Sequence, residues 1–217
     1  MVFNIDWSRY RLVDVTLRIV PGEVGRRLAL RRYTFPVDGS FGYEVDTVTH
    51  LGTHVEAPAH YYPQGQDVTA YPLELFMGPM IHLRFEDCAP KGEITLGMVQ
   101  EACAGSALRG KIVLLSTPHF RHDPAQDNRP VLSAEAVHYL VEGGIKLFGF
   151  DDSLTIDASA ELAQKVHRTL FDHGVLIIEY MGQLDQLRRK EAYLLALPLR
   201  VVGFDSSPVR AIVIEER

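Results

Sequence analysis

The sequence predicts an α/β protein built on a mixed sheet. Two observations carry that expectation: the first part of the chain is rich in short β-branched runs, and the later part alternates helical with strand patterns. Leu12 to Val20 begins with β-branched residues and stops at Pro21-Gly22, a turn signal, so it reads as a first strand. Leu28 to Phe35 reads as a second. Tyr43 to Thr49 alternates and is rich in β-branched residues, which predicts a strand running directly into His50. Gly78 to Phe85 is a further strand. Thr95 caps a predicted helix reaching about Ala104, with Gly105 as its stop. Lys111 to Ser116 is nearly continuous in apolar residues, the pattern of a strand covered on both faces. Ser133 precedes a helical run that ends at Gly143-Gly144, an N-cap and a glycine stop. Ile145 to Phe150 reads as a strand, Ala160 to His173 as a helix stopped by Gly174, and Val175 to Ile178 as a strand. Ala192 to Val202 and Val209 to Ile214 close the chain as strands.

The 217 residues read as a single domain over 1–217, without linker, repeat or low-complexity tract. Apolar residues make up 47% and charged residues 23%, the balance of a soluble globular chain. A formal net charge of −6 argues against nucleic acid as a partner, since phosphate binding needs a clustered basic surface. The densest basic run, Arg188 to Lys190, reads as a solvated helix end. Nothing matches a dinucleotide-binding turn or a P-loop. No apolar run has the length of a membrane span, and the first residues do not form a signal peptide. Cys88 and Cys103 form no CxxC pair and read as core or half-buried thiols. The setting expected is cytoplasmic.

The informative feature is a cluster. Of nine histidines, His50, His54 and His60 fall within eleven residues, with Glu56 among them. Imidazole nitrogen and carboxylate oxygen together suit a divalent transition metal. Gly52 interrupts helical continuity, so His50 and His54 are not paired on one helix face. Pro58 biases Ala57 towards an extended conformation, in which residues two apart share a face. His54 and Glu56 then point together, His60 lies further along the same side, and Gly52 lets the backbone bend His50 inward. The product is a crook of ligands at a strand end. His60 is expected as acid/base, with a ligand role as the alternative.

The segment from His50 to His60 resembles the signature H-x-G-T-H-x-D-x-P-x-H of the cyclase family, which includes bacterial kynurenine formamidases and isatin hydrolases. Phe148 to Asp157, His167 to Glu179 and Gly203 to Ala211 resemble later family segments in the expected order. The resemblance implies a swivelling β/β/α fold and a subunit assembled as a homodimer or homotetramer. It implies one metal on His50, His54 and Glu56, with Glu56 bridging to a second metal on His167 and Glu179, and His60 as the catalytic acid/base. It also implies a small-molecule substrate whose amide-type C–N bond is hydrolysed, a formamide or a cyclic amide, with Zn²⁺ or Mn²⁺ as the cofactor. Two alternatives stand beside this: a hydrolase or dehydratase of a lactone or other cyclic compound, and a non-catalytic metal- or ligand-binding protein. The family carries Asp where this chain has Glu56. The extra methylene shifts the carboxylate by about 1.5 Å, so one or two ions per subunit remain open.

The remaining polar residues divide by context. His119 and His122 lie in a long polar segment after the strand at Lys111–Ser116, and either line the pocket or sit in an exposed loop. His82, His138 and His173 read as structural. Asp151, Asp152, Ser153 and Asp157 read mostly as turn and capping residues, with a site-facing role as the alternative, Arg210 as an ion-pair partner, with a carboxylate-facing role as the alternative, and Tyr61 and Tyr62 as pocket walls or packing residues.

Overall fold

A computed structural model describes residues 6–23, 25–118, 120–123 and 125–217. Its elements in chain order are β1 (Tyr10–Asp14), β2 (Leu28–Thr34), β3 (Phe41–Thr47), β4 (His54–Glu56), β5 (Met77–Arg84), β6 (Glu93–Ile94), α1 (Leu96–Cys103), β7 (Ile112–Ser116), β8 (Val131–Leu132), α2 (Ala134–Glu142), β9 (Leu147–Asp151), α3 (Ala160–Asp172), β10 (Leu176–Met181), β11 (Glu191–Pro198) and β12 (Ser206–Glu216). One eight-stranded sheet runs β1-β12-β11-β5-β7-β9-β10-β4, and a further pairing of β12 with β4 closes it into a barrel-like ring. The β5, β7, β9 and β10 run is parallel, while β11, β12 and β4 are antiparallel to their neighbours. β2 and β3 form a separate hairpin, and β6 pairs with β8.

Period-two alternation sorts the strands into two cores. On β7, Ile112 and Leu114 point into the ring with Val55, Met80, Leu147, Ile178 and Val213. Val113 and Leu115 point outward, where Phe148, Phe150 and Ile177 meet Val99, Val137, Leu140, Val166 and Leu170 of the helices. This double burial is why β7 reads as a continuous apolar run. The helices start where the sequence places their caps. Thr95, Ser133 and Ser159 accept from the backbone N–H groups of Met98, Ala136 and Leu162, each such cap contributing about 1 kcal/mol. Gly174, at φ +72°, turns the chain after α3 into β10.

Several expectations are corrected at strand ends. The strand expected over Leu12–Val20 lies at Tyr10–Asp14, because the Asp14 carboxylate accepts the Thr16 N–H at 3.1 Å and turns the chain. Beyond it Thr16 makes only a single bridge to Met181. β3 ends at Thr47 and does not run into His50. β11 ends at Pro198 rather than Val202. Arg188 to Lys190 are exposed in the stretch before β11, not at an α-helix end. Among the described residues no helix is long and apolar enough to cross a membrane.

Candidate metal centre

β4 is three residues long and wholly buried, held between β10 and β12. Val55 points into the ring core, so His54 and Glu56 face the opposite side together, as their spacing predicts. Gly52 sits at φ +58°, the left-handed bend that carries the chain from His50 into β4. Here the expectation for His60 is corrected in detail. Pro58 starts a 3-10 turn over Pro58–His60, so His60 arrives at the site from a turn and not along an extended segment.

β10 brings Glu179 directly opposite His54. The β9–β10 register shifts between Ile178 and Met181, both of which lie in the ring core. That irregularity leaves two consecutive residues, Glu179 and Tyr180, lining the site cavity. Glu179 therefore lies within its strand and not at its end, as the shorter Val175–Ile178 reading placed it. α3 delivers His167, whose ring is stacked on Tyr61 with centroids 4.6 Å apart.

The six residues meet around Glu56. Its Oε1 lies 2.7 Å from His50 Nδ1 and 3.2 Å from His54 Nε2, and its Oε2 lies 3.3 Å from His167 Nε2. His167 Nε2 is in turn 3.7 Å from Glu179 Oε1. His60 comes within ligand distance of Glu56 and His167. One carboxylate oxygen thus faces His50 and His54, and the other faces His167. Ligand atoms of a tetrahedral divalent cation would stand roughly 3.3–3.6 Å apart, close to the separations at His54, His167 and Glu179, while His50 stands at hydrogen-bond distance from Glu56.

The electrostatics point the same way. Glu56 is 2% and Glu179 6% exposed, and Glu56 Oε2 and Glu179 Oε1 are buried without a hydrogen-bond partner. The approach of His167 to Glu56 Oε2 is an ion-pair distance without hydrogen-bond alignment. Burial raises the Glu56 pKa, but His167, His50 and His54 outweigh it and hold the carboxyl well below its usual range. Glu179 is pushed well above that range by burial, then by the charge of Glu56 and Asp157. Burial works against protonation of His50 and His167, yet the carboxylates beside them raise both pKa values. Two buried carboxylates with unpartnered oxygens, facing imidazoles, are the donor set of a divalent cation. His50, His54, Glu56, His167 and Glu179 fit such a group.

These side chains line a cavity of about 630 Å³, with Arg26, Tyr61, His122, Arg129, Asp152 and Asp157 further along its wall. His119 lies outside the described residues. Tyr62 turns away and donates to Asp172 at 2.7 Å. His82 is buried against Ser116 Oγ at 2.7 Å, Arg210 pairs with Asp14, and Asp151 accepts from Ser153, all apart from the site. Cys103 is buried and Cys88 half-buried, both free thiols.

One residue was missed. Asp205 Oδ2 lies 2.8 Å from His50 Nε2 and 3.3 Å from His60 Nδ1. Its signal was present in Gly203-Phe-Asp-Ser-Ser-Pro, a segment read for its resemblance without a role for the carboxylate.

Comparison with known proteins gives a consistent picture. Kynurenine formamidase from Bacillus cytotoxicus is 29% identical over 195 residues, covering 83% of this chain and 90% of that protein. A solved structure described as a potential metal-dependent hydrolase with cyclase activity superposes with a TM-score of 0.74 at 25% identity, over 96% of this chain and 99% of the other. Isatin hydrolase A from Labrenzia aggregata, bound to benzyl benzoate, shares the fold with a TM-score of 0.77 at 22% identity, over 97% and 95% of the two chains. The model of the family described as "Putative cyclase" matches residues 7–158, a span holding β1 to β9 and the whole His50–His60 segment. This chain belongs to the cyclase family.

Proposed function

We propose that this protein is a metal-dependent hydrolase of an amide-type C–N bond in a small molecule, arylformamidase-like or acting on a cyclic amide. The observation that carries the reading is the Glu56 carboxylate, buried, with one oxygen towards His50 and His54 and the other towards His167. The similarity to kynurenine formamidase over most of both chains supports the bond type. His50, His54, Glu56, His167 and Glu179 hold one or two ions, and the mix of nitrogen and oxygen donors favours Zn²⁺ or Mn²⁺. A divalent cation there supplies Lewis acidity and a water acidic enough to attack a carbonyl near neutral pH.

The chain's own groups do the rest. Burial first, and the neighbouring His50 and His167, hold the His60 pKa below its usual value, so its ring is neutral and ready to take a proton. His60 then passes that proton to the departing nitrogen, which leaves as a neutral amine. Tyr61, stacked on His167, and Tyr180 form walls for a flat substrate.

Residues 1–217 act as one domain in this reading, and its free thiols support a cytoplasmic setting. A homodimer or homotetramer is supported by the β2–β3 hairpin, where Leu30, Phe41, Tyr43 and Val45 are exposed. The test is elemental analysis of purified protein, followed by hydrolysis assays on N-formylkynurenine and isatin. Stoichiometric Zn²⁺ or Mn²⁺ with turnover abolished by chelation and restored by the metal is expected. Full activity in metal-free protein overturns the proposal.

A further inference from the structure

We infer that Asp205 is a positioning residue that fixes, through a single carboxylate oxygen, both the metal-side ring of His50 and the proton-carrying ring of His60. The inference rests on the proposed hydrolase site and adds to it a side chain outside the ligand set.

It starts from the far side of each imidazole. A metal-binding histidine needs its remote nitrogen held, which fixes both the tautomer and the ring plane. His54 has Nδ1 at 2.8 Å from the Gly52 carbonyl oxygen, and His167 has Nδ1 at 2.7 Å from the Ala163 carbonyl oxygen. Both leave Nε2 towards Glu56. His50 is turned the other way round. Its Nδ1 faces Glu56, and its remote Nε2 meets a side chain, Asp205 Oδ2, at 2.8 Å. A carboxylate behind an imidazole makes it a stronger donor than a carbonyl does, because the negative charge favours electron density at the opposite nitrogen.

The same oxygen lies 3.3 Å from His60 Nδ1. That is an ion-pair distance without hydrogen-bond alignment, and the carboxylate charge there favours a proton on Nδ1, which leaves the other ring nitrogen as the one that exchanges protons in the cavity. Asp205 is itself anchored. Its Oδ1 accepts the Thr49 hydroxyl at 2.9 Å, and its backbone carbonyl accepts the Ala57 N–H at 2.9 Å, beside the turn that carries His60. Ser206, next in the chain, donates its hydroxyl to the Thr49 carbonyl at 3.2 Å. The stretch Thr49-His50 and the stretch Asp205-Ser206 are therefore tied by three hydrogen bonds across at least 155 residues of sequence. The rings of His50 and His60 stand 4.3 Å apart, near enough to share one acceptor.

The test uses Asp205→Asn, which keeps the size and removes the charge and one acceptor oxygen. Three quantities are measured: the dissociation constant of Zn²⁺ alone by chelator competition, kcat and KM for N-formylkynurenine at saturating Zn²⁺, and the melting temperature of the metal-free protein. Zn²⁺ affinity is expected to fall about 10- to 100-fold, the usual cost of losing such a partner. At saturating Zn²⁺ kcat is expected to fall at least about tenfold with KM within about threefold, since proton transfer and not substrate binding is disturbed. The metal-free melting temperature should stay at the wild-type value. Wild-type Zn²⁺ affinity and kcat, or losses that follow a lowered metal-free melting temperature, overturn the inference. Thr49→Val, which removes only the anchor of Oδ1, is expected to weaken Zn²⁺ binding in the same direction by a smaller factor. Should Asp205→Asn not fold, wild-type affinity in Thr49→Val overturns the inference. If the wild type hydrolyses nothing, the hydrolase proposal fails, and the Zn²⁺ affinities alone decide the role of Asp205.

Discussion

Among the described residues, two regions gather histidine and carboxylate at metal-ligating distances, and they differ in kind. Around Glu56, the side chains of His54, His167 and Glu179 are sunk with it between β4, β10 and α3, His50 is half-buried and His60 is exposed at the rim, and two of the buried carboxylate oxygens have no hydrogen-bond partner. On the outside, His138 and Glu142 of α2 meet His173 at the end of α3. There His173 Nε2 lies 3.4 Å from Glu142 Oε1, with the side chains 38% and 61% exposed, and His173 Nδ1 is taken by the Thr169 carbonyl at 2.7 Å. Water can satisfy every one of those exposed groups, and the pair is worth at most a few tenths of a kcal/mol at its site on the surface. Glu56 Oε2 and Glu179 Oε1 present almost no surface to solvent. The lesson is that clustering alone does not mark a cation site; clustering with desolvated, unpartnered charge does.

The largest expected effect comes from removing the centre of the buried group. Glu56→Ala takes away both oxygens that link the histidines, and hydrolysis should fall by at least about a thousandfold with loss of bound metal, read by elemental analysis. Metal retained at wild-type stoichiometry would break the comparison. Next in size, His60→Ala should lower kcat by about 10²- to 10⁴-fold while the metal content stays at the wild-type level. Loss of metal in that variant would move His60 into the ligand set.

A third kind of histidine sharpens the contrast. His82 is buried and neutral, its pKa lowered to about 4 by burial and then by Arg84. The unfolded chain, with an ordinary histidine, takes up a proton near pH 6.5, well before the folded chain does. The unfolded state thus binds more protons between those values, so this histidine's contribution to stability falls as the pH drops from about 6.5 to about 4. The stability difference between wild type and His82→Gln should shrink by on the order of 3 kcal/mol over that range, followed by urea unfolding of metal-free protein. A pH-independent difference would show that His82 takes up its proton as readily in the folded chain as in the unfolded one. The smallest effect is expected on the surface: the double variant His138→Ala, His173→Ala should keep wild-type metal stoichiometry and turnover within about twofold.

Much of this is legible in the sequence. Ser133 and the glycines after Glu142 bracket α2, and the unbroken apolar run of β7 announces a strand buried on both faces. The His50–His60 spacing gives the shared face of His54 and Glu56. What escaped is long-range or too short to have a period. β4 has three residues, fewer than alternation can reveal, and it is a strand only because β10 and β12 flank it. The irregularity that turns both Glu179 and Tyr180 to the cavity depends on the register with β9, which no local pattern encodes. Asp205 meets His50 from the far end of the chain, so its role follows from closure of the ring by β12 against β4. Asp14 ended β1 early through a side-chain hydrogen bond that competes with the ladder.

The most direct measurement compares melting of wild type and Glu179→Gln with and without Zn²⁺. Glutamine keeps the volume and removes the carboxylate that burial and Glu56 disfavour. If buried charge is retained for a cation, the metal-free variant melts no lower than metal-free wild type, and saturating Zn²⁺ raises the wild type by several degrees but the variant far less. A metal-free variant that melts several degrees below wild type, with Zn²⁺ shifting neither protein, would show that Glu179 serves the fold and that no cation belongs there.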